Sequence, residues 1–188
     1  RTDLREHSEE FADKWDMCGR TNRAGFQGGA AEALRDADVV IALSKSGPGV
    51  LQPDWIRAMA KQPVVFACAN PVPEIWPWEA KRAGAAVVAT GRSDVPNQVN
   101  NSLGFPGIFR GTLDVRASTI SDGMCLAAAH ALAEYAARKG LREDYILPTM
   151  DEWEAFALEA AAVAGQAIRE GLAKHPLTEA EEFEFAKG

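Results

Sequence analysis

The chain has 188 residues, enough for one domain with a sizeable core, and its 47 % apolar and 25 % charged residues describe an ordinary soluble globular protein. A formal net charge of −7 argues against a nucleic-acid partner, which would call for a basic stripe. Apolar runs stop at about six to eight residues, far short of the roughly 20 needed to span a bilayer, so no membrane partner is expected.

The first helix read from the pattern is Ala30 to Arg35. Asp38-Val-Val-Ile-Ala-Leu43 follows as a strand rich in β-branched residues. Pro53 to Lys61 reads as a helix with Pro53 at a first helical position, where its missing N–H costs nothing. Pro63-Val-Val-Phe-Ala-Cys68 is a second strand. Pro77 to Ala83 is a short helix ended by Gly84, and Ala85-Ala-Val-Val-Ala-Thr90 is a third strand. The strands are apolar throughout, as strands buried on both faces are. Alternating strand and helix predicts an α/β fold with a parallel sheet and right-handed crossovers.

The remainder reads as helix. Phe105 to Val115 is short. Ser121 or Asp122 caps a helix to Lys139 whose Met124, Ala127, Ala128, Ala131, Leu132 and Tyr135 share a face. Asp151 and Glu154 resemble a capping box opening another helix. Its stripe of Trp153, Phe156, Ala157, Ala160, Ala164 and Ile168 is expected against the body or a partner subunit. Thr178 to Phe185 reads as a solvated terminal helix or tail.

Ligands of open parallel sheets bind beyond the carboxyl ends of the strands. The loops at those ends are Ser44-Lys-Ser-Gly-Pro-Gly49, Asn70-Pro-Val-Pro-Glu74 and Gly91-Arg-Ser-Asp-Val-Pro-Asn-Gln-Val-Asn-Asn101. Ser44 and Gly47 suit close backbone approach to a flat ligand. Asn70, held extended by the following proline, can donate and accept together. Asn97, Gln98, Asn100 and Asn101 form a dense amide cluster on the same edge. Arg92 can hold a carboxylate or pair locally with Asp94. The opposite loops, such as Arg82 to Gly84, carry nothing comparable.

Several chemistries find no motif. Gly47-Pro48-Gly49 begins a G-x-G-x-x-G that its third glycine does not complete, and no G-x-x-x-x-G-K-[ST] is present. Gly91 to Val95 mimics a nucleophile elbow without its closing glycine. His7, His130 and His175 are scattered, with no second ligand at metal-binding spacing. Cys18, Cys68 and Cys125 form no C-x-x-C pair and read as free thiols of a reducing cytosol, with Cys68 in the core. No secretory signal opens the sequence, and a cytoplasmic location is expected. The residues can bind and orient a ligand, but they supply no evident acid, base or metal site.

Phe66-Ala-Cys-Ala-Asn-Pro-Val-Pro-Glu-Ile75, followed by Ala89 through Gly111 with its core Thr90-Gly-Arg-Ser-Asp-Val-Pro-Asn-Gln-Val-Asn-Asn101, closely resembles the bacterial and archaeal malic enzymes. The resemblance also takes in Ala37 to Ser44, Ala127 to Leu132 and the Pro148-Thr149 region. It implies a Rossmann-like parallel sheet flanked by helices, with the N-terminal glycine-rich βαβ portion missing and helices at the C-terminal end. It further implies one partial NAD(P)-binding domain over 1–188, Rossmann-like to about 116 and helical from about 117.

The activity implied is oxidative decarboxylation of malate to pyruvate and CO₂, with reduction of NAD or NADP and a requirement for Mg²⁺ or Mn²⁺. By the same resemblance Asn70 and Asn100 match asparagines that contact malate and the nicotinamide end of the cofactor. Asn101 is their neighbour, and Ser44 and Gly47 line the cofactor loop. The family's lysine, tyrosine, metal-binding carboxylates and glycine-rich fingerprint lie upstream of the region matching Arg1. No catalytic or metal-binding residue is therefore assigned to this chain, whose expected partners are malate or pyruvate, an N-terminal catalytic half and further copies in a homo-oligomer. Val95 and Lys45-Ser46 depart from the family pattern. A non-catalytic nucleotide-binding or subunit-interaction module is the alternative reading for the chain standing alone.

Overall fold

A computed structural model describes residues 9–187 of the chain. After α1 (Ala12–Arg20) and α2 (Ala30–Ala33), β1 (Val39–Ala42), α3 (Pro53–Arg57), β2 (Val64–Ala67), α4 (Pro77–Arg82) and β3 (Val87–Thr90) alternate. The three strands form one parallel sheet in the order β1-β2-β3, with Val39 opposite Val64 and Val64 opposite Val87. Both α3 and α4 start with proline in the first turn, the position that spares a hydrogen bond. Alternation of strand and helix thus yields the parallel sheet that the pattern predicts.

One face of the sheet is buried on all three strands, whereas the other is buried at Ala89 of β3 and open at β1. Val40, Ala42, Val65, Ala67 and Val88 point into a core completed by Ile56 of α3, Ala80 of α4 and Ile75. On the opposite face Val39, Ile41 and Leu43 are exposed by 49, 64 and 78 %. A strand with apolar residues on both sides cannot itself say how many layers cover it, and the described helices pack on one side of β1. Along its free edge, β1 has no partner strand among the described residues.

Beyond the sheet come a 3₁₀ turn (Asn101–Leu103), α5 (Phe105–Asp114), α6 (Asp122–Lys139), α7 (Trp153–Arg169) and α8 (Glu179–Lys187). Helix α7 is the hub, packing against α5, α6 and α8. Its Ala155, Ala160, Val163 and Ala167 are fully buried, and Met124, Ala128 and Leu132 of α6 close the same interior. Small residues let the helices approach closely. A Cβ on Gly111 of α5 would run into the Ala160 carbonyl of α7. Of the expected α7 stripe, Phe156, Ala157, Ala160 and Ala164 are buried, whereas Trp153 stands 77 % exposed.

Two helix ends differ from the sequence reading. Asp151 and Glu154 form no capping box; α7 begins after Glu152, whose carboxylate accepts from the Thr149 amide and the Tyr145 hydroxyl and pairs with Lys139. Contacts from distant residues outcompete the local cap. The reciprocal box lies instead at α8, where the Glu181 amide donates to Thr178 Oγ1 and the Thr178 amide donates to Glu181 Oε2. The expected terminal helix forms as α8 and most of its residues are exposed, but it packs on α7 and buries Glu182 completely.

Candidate functional site

The carboxyl ends of β1, β2 and β3 deliver the three polar loops to one edge, and internal hydrogen bonds join them. Glu74 is the centre of that bracing. Although a charged residue type, it has no exposed surface. Its Oε1 accepts from the Ser44 amide at 2.8 Å and the Ser44 hydroxyl at 3.1 Å, and its Oε2 accepts from the Ala69 amide at 3.0 Å. Ser46 then exchanges hydrogen bonds with the Val72 backbone in both directions, and the Gly47 amide donates to Val72 O. The loops after β1 and β2 are zipped together, and Ser46, a departure from the family pattern, is one of the teeth.

The third loop turns back onto its own strand: the Val99 amide donates to Thr90 O at 2.7 Å, making a short parallel bridge. Asn97 sits with φ +57°, a conformation that asparagine tolerates. Its Nδ2 donates to the carbonyls of Val88 and Glu143, and its Oδ1 accepts from the Ile146 amide. Both its donors are committed to structure, so Asn97 pins this loop to the helical unit. Arg92 joins the loop to its neighbour, donating twice to Asp94 at 2.7 Å and once to Pro71 O, beside the Trp76 ring. The local pair, of the two readings open for Arg92, is the one that forms. Its guanidinium holds the Asp94 carboxyl below its ordinary value.

Asn70 and Asn100 meet at Gly91. Asn100 Nδ2 donates to Gly91 O at 2.9 Å and its Oδ1 accepts from the Ser102 amide, capping the 3₁₀ turn. One N–H and one lone pair of that carboxamide remain uncommitted. A Cβ on Gly91 would lie 2.9 Å from Asn70 Oδ1, so only glycine lets the two come together unchanged. Among the described residues the exposed Asn70 carboxamide has no hydrogen-bond partner. Asn101 is exposed beside it, its carboxamide equally unpaired. Ser44 and Gly47 line the same edge, with their amides already used by Glu74 and Val72. The edge therefore presents neutral amides and bare backbone, suited to orienting a flat polar ligand and not to moving protons.

The sequence pattern assigns no role to Glu74 or Gly91; the signal for Glu74 is a single acidic residue inside an otherwise apolar Pro73-Glu-Ile75 step. Cys68, half-buried at the end of β2, has its thiol pushed up by burial and by Glu74, which disfavours the thiolate. Cys18 and Cys125 are free and exposed. His130 lines an open groove of about 710 Å³ between α6, α7 and α8, and His175 Nε2 lies 3.3 Å from Arg116. His7 falls outside the described residues. Among the described residues no three His, Cys, Asp or Glu side chains cluster as a metal site would need, and no helix is long and apolar enough to cross a membrane.

A parallel sheet with helices packed on it and its ligand loops gathered at the carboxyl edge defines a Rossmann-like dinucleotide-binding domain. The chain belongs to the malic enzyme NAD-binding domain family, whose model matches residues 1–168. The bifunctional malic/malolactic enzyme of Bacillus subtilis is 46 % identical over 154 residues, 82 % of this chain and 37 % of that protein. The NADP-dependent malic enzyme of Halomonas elongata is 45 % identical over 161 residues, 78 % of this chain and 38 % of its own length. The crystal structure of Entamoeba histolytica malic enzyme superposes with a TM-score of 0.94 at 52 % identity, covering all of this chain and 38 % of that one. The chain thus spans less than two fifths of the length of these relatives.

Proposed function

We propose that the protein carrying this chain is a malic enzyme, oxidatively decarboxylating malate to pyruvate and CO₂ with NAD or NADP, and that residues 1–188 form its cofactor-binding, malate-orienting part. In this reading a Rossmann-like portion to about residue 116 holds the ligand edge, and the helices from about 117 buttress it. The observation that carries it is the meeting of Asn70 and Asn100 over Gly91 at the carboxyl edge of β3.

The free Asn70 carboxamide can receive the malate C2 hydroxyl or a carboxylate oxygen and donate to its neighbour. Asn100, braced by Gly91 and Ser102, offers its remaining N–H to the nicotinamide amide or to malate. Ser44, Gly47 and Asn101 line the approach of the dinucleotide. When bound, NAD or NADP takes up the hydride from C2, and Mg²⁺ or Mn²⁺ polarises the substrate oxygen. The neutral edge fits a dinucleotide; the metal ligands and the groups that move protons are assigned to an N-terminal half. Free Cys18, Cys68 and Cys125 suit a reducing cytoplasm. Exposed Phe105, Phe109 and Leu113 on one stripe of α5 supply apolar surface for that half or for a second copy in a homo-oligomer.

Asn70→Asp in the full-length protein tests the assignment. The added negative charge faces an anionic substrate, so the malate KM is expected to rise several-fold more than the cofactor KM. Equal changes in both constants would count against direct malate contact. Residues 1–188 alone are expected to give no malate-dependent reduction of either cofactor with Mn²⁺. Turnover within about tenfold of the full-length enzyme would overturn the division of labour, because positioned acid–base groups contribute about 10²–10⁴-fold.

A further inference from the structure

Glu159 of α7 is fully buried, and neither carboxyl oxygen has a hydrogen-bond partner. It lies under the first turn of α5. A Cβ on Gly107 would overlap its carboxyl group, and one on Gly104 would stand 3.8 Å from Oε1. Gly107 therefore lets the start of α5 rest directly on this carboxyl, with Gly104 in ordinary contact beside it. Gly104 also closes the 3₁₀ turn capped by Asn100, donating to Asn101 O at 3.0 Å. A short, continuous stretch of backbone joins the Glu159 contact to the amide loop.

Burial pushes the Glu159 carboxyl up to about 8, and the Gly107 amide draws it back without reaching hydrogen-bond geometry. No charged side chain on the packed elements contributes. On α5, Arg110 is paired with Asp114; on α6, Tyr135 lies beneath Lys139; on α8, Glu182 neighbours Asp114. A charge formed at Glu159 has one way to be relieved other than taking up a proton, which is the admission of water. Ala155, Phe156, Ala157, Ala160 and Ala161 of α7 are buried on either side of Glu159, whereas the first turn of α5 carries exposed Phe105 and Pro106. The turn of α5 is the side that yields.

We propose that Glu159 is a positioning residue: its neutral carboxyl seats the first turn of α5, and its ionisation lifts that turn, with the Asn100–Asn101 loop, away from α7. Alkaline pH then loosens the ligand edge from beneath. The ligand consequence rests on the dinucleotide reading above, but the structural step does not.

The test follows amide hydrogen exchange of the 99–108 segment in the ligand-free full-length protein, corrected for intrinsic rate, between pH 6.5 and 9.5. Wild-type protection is expected to fall about tenfold with a midpoint near 8, since one pH unit changes the protonation ratio tenfold. Glu159→Gln, neutral and of equal length, should abolish the step, and Glu159→Met serves if Gln does not fold. Glu182→Gln should leave the step in place. A flat wild-type profile overturns the proposal whatever the variants do, as does a step that survives Glu159→Gln or vanishes in Glu182→Gln. NAD and NADP dissociation constants measured over the same range should weaken about tenfold in the wild type and stay level in Glu159→Gln. Absence of binding at every pH would defeat the dinucleotide reading while leaving the exchange result to judge Glu159.

Discussion

Glu74 at the sheet edge and Glu159 in the helical unit are equally hidden from solvent, yet Glu74 accepts three hydrogen bonds and Glu159 accepts none. Around Glu74 the packing is made by polar groups: two loops converge on one carboxylate, and each donor finds an oxygen. Around Glu159 the packing is made by the glycine backbone of α5, and the carboxyl is enclosed without being bonded. A fully bonded buried carboxylate fixes the loops that surround it. An unbonded one leaves its surroundings sensitive to its protonation. The ligand loops are thus rigid at Ser44 and Ala69 and responsive at Asn100.

The sharpest way to break this contrast is Glu74→Ala, which removes the acceptor of three donors, two on exposed Ser44 and one on buried Ala69. A buried amide left unpaired costs about 1–3 kcal/mol, so the unfolding free energy of the full-length protein should fall by about 2 kcal/mol or more in denaturant titrations. A loss below about 1 kcal/mol would mean that the loops do not depend on the clamp.

Asn100→Ala is expected next in size. It removes the bond to Gly91 O, the cap on Ser102 and the proposed ligand contact. The value of kcat/KM for malate should drop roughly 10- to 100-fold; unchanged kinetics would reduce Asn100 to a turn residue.

The smallest effect concerns Glu182, which burial and then Asp114 push up to about 7. Glu159 and Glu182 both hold their protons more tightly folded than at the ordinary value of 4.5. Their contribution to stability is accordingly complete below about pH 4.5 and is lost as pH rises through about 7 for Glu182 and about 8 for Glu159. The melting temperature of the wild type should decline over this window. Glu182→Gln should make the decline below about pH 7 shallower and leave the part above it to Glu159, and an unaltered profile would show that Glu182 reaches water.

Much of this was legible in the sequence. Runs such as Val39 to Leu43 and Val64 to Cys68, broken by Pro- and Gly-rich loops, locate the strands and put the polar residues on one edge. What they cannot express is coverage: Val39 and Val40 are the same residue, one 49 % exposed and the other buried. The misplaced capping box has a similar origin, for Thr149, Asp151 and Glu152 all compete near one helix start and a distant Lys139 and Tyr145 decide. The acidic run Glu179 to Glu184 reads as solvated because one inward position on a helix does not alter its composition. Asn70 and Asn100 stand out in the sequence as amides in loops at a ligand edge, whereas Glu74 does not, because its role exists only once two loops meet around it.

Gly107 and Gly111 of α5 leave a mark of another kind. Where two helices touch through bare backbone, a single methyl group is the intruder, and alanine ceases to be a neutral probe. A survey of this protein by alanine replacement would find Leu126 and Trp153 unremarkable, since they are 61 and 77 % exposed. Its worst results would come from the mildest change on paper, at residues with no side chain to remove. Tolerance in the helical half should therefore track added volume rather than lost volume, and natural variation there should be narrowest among its smallest letters.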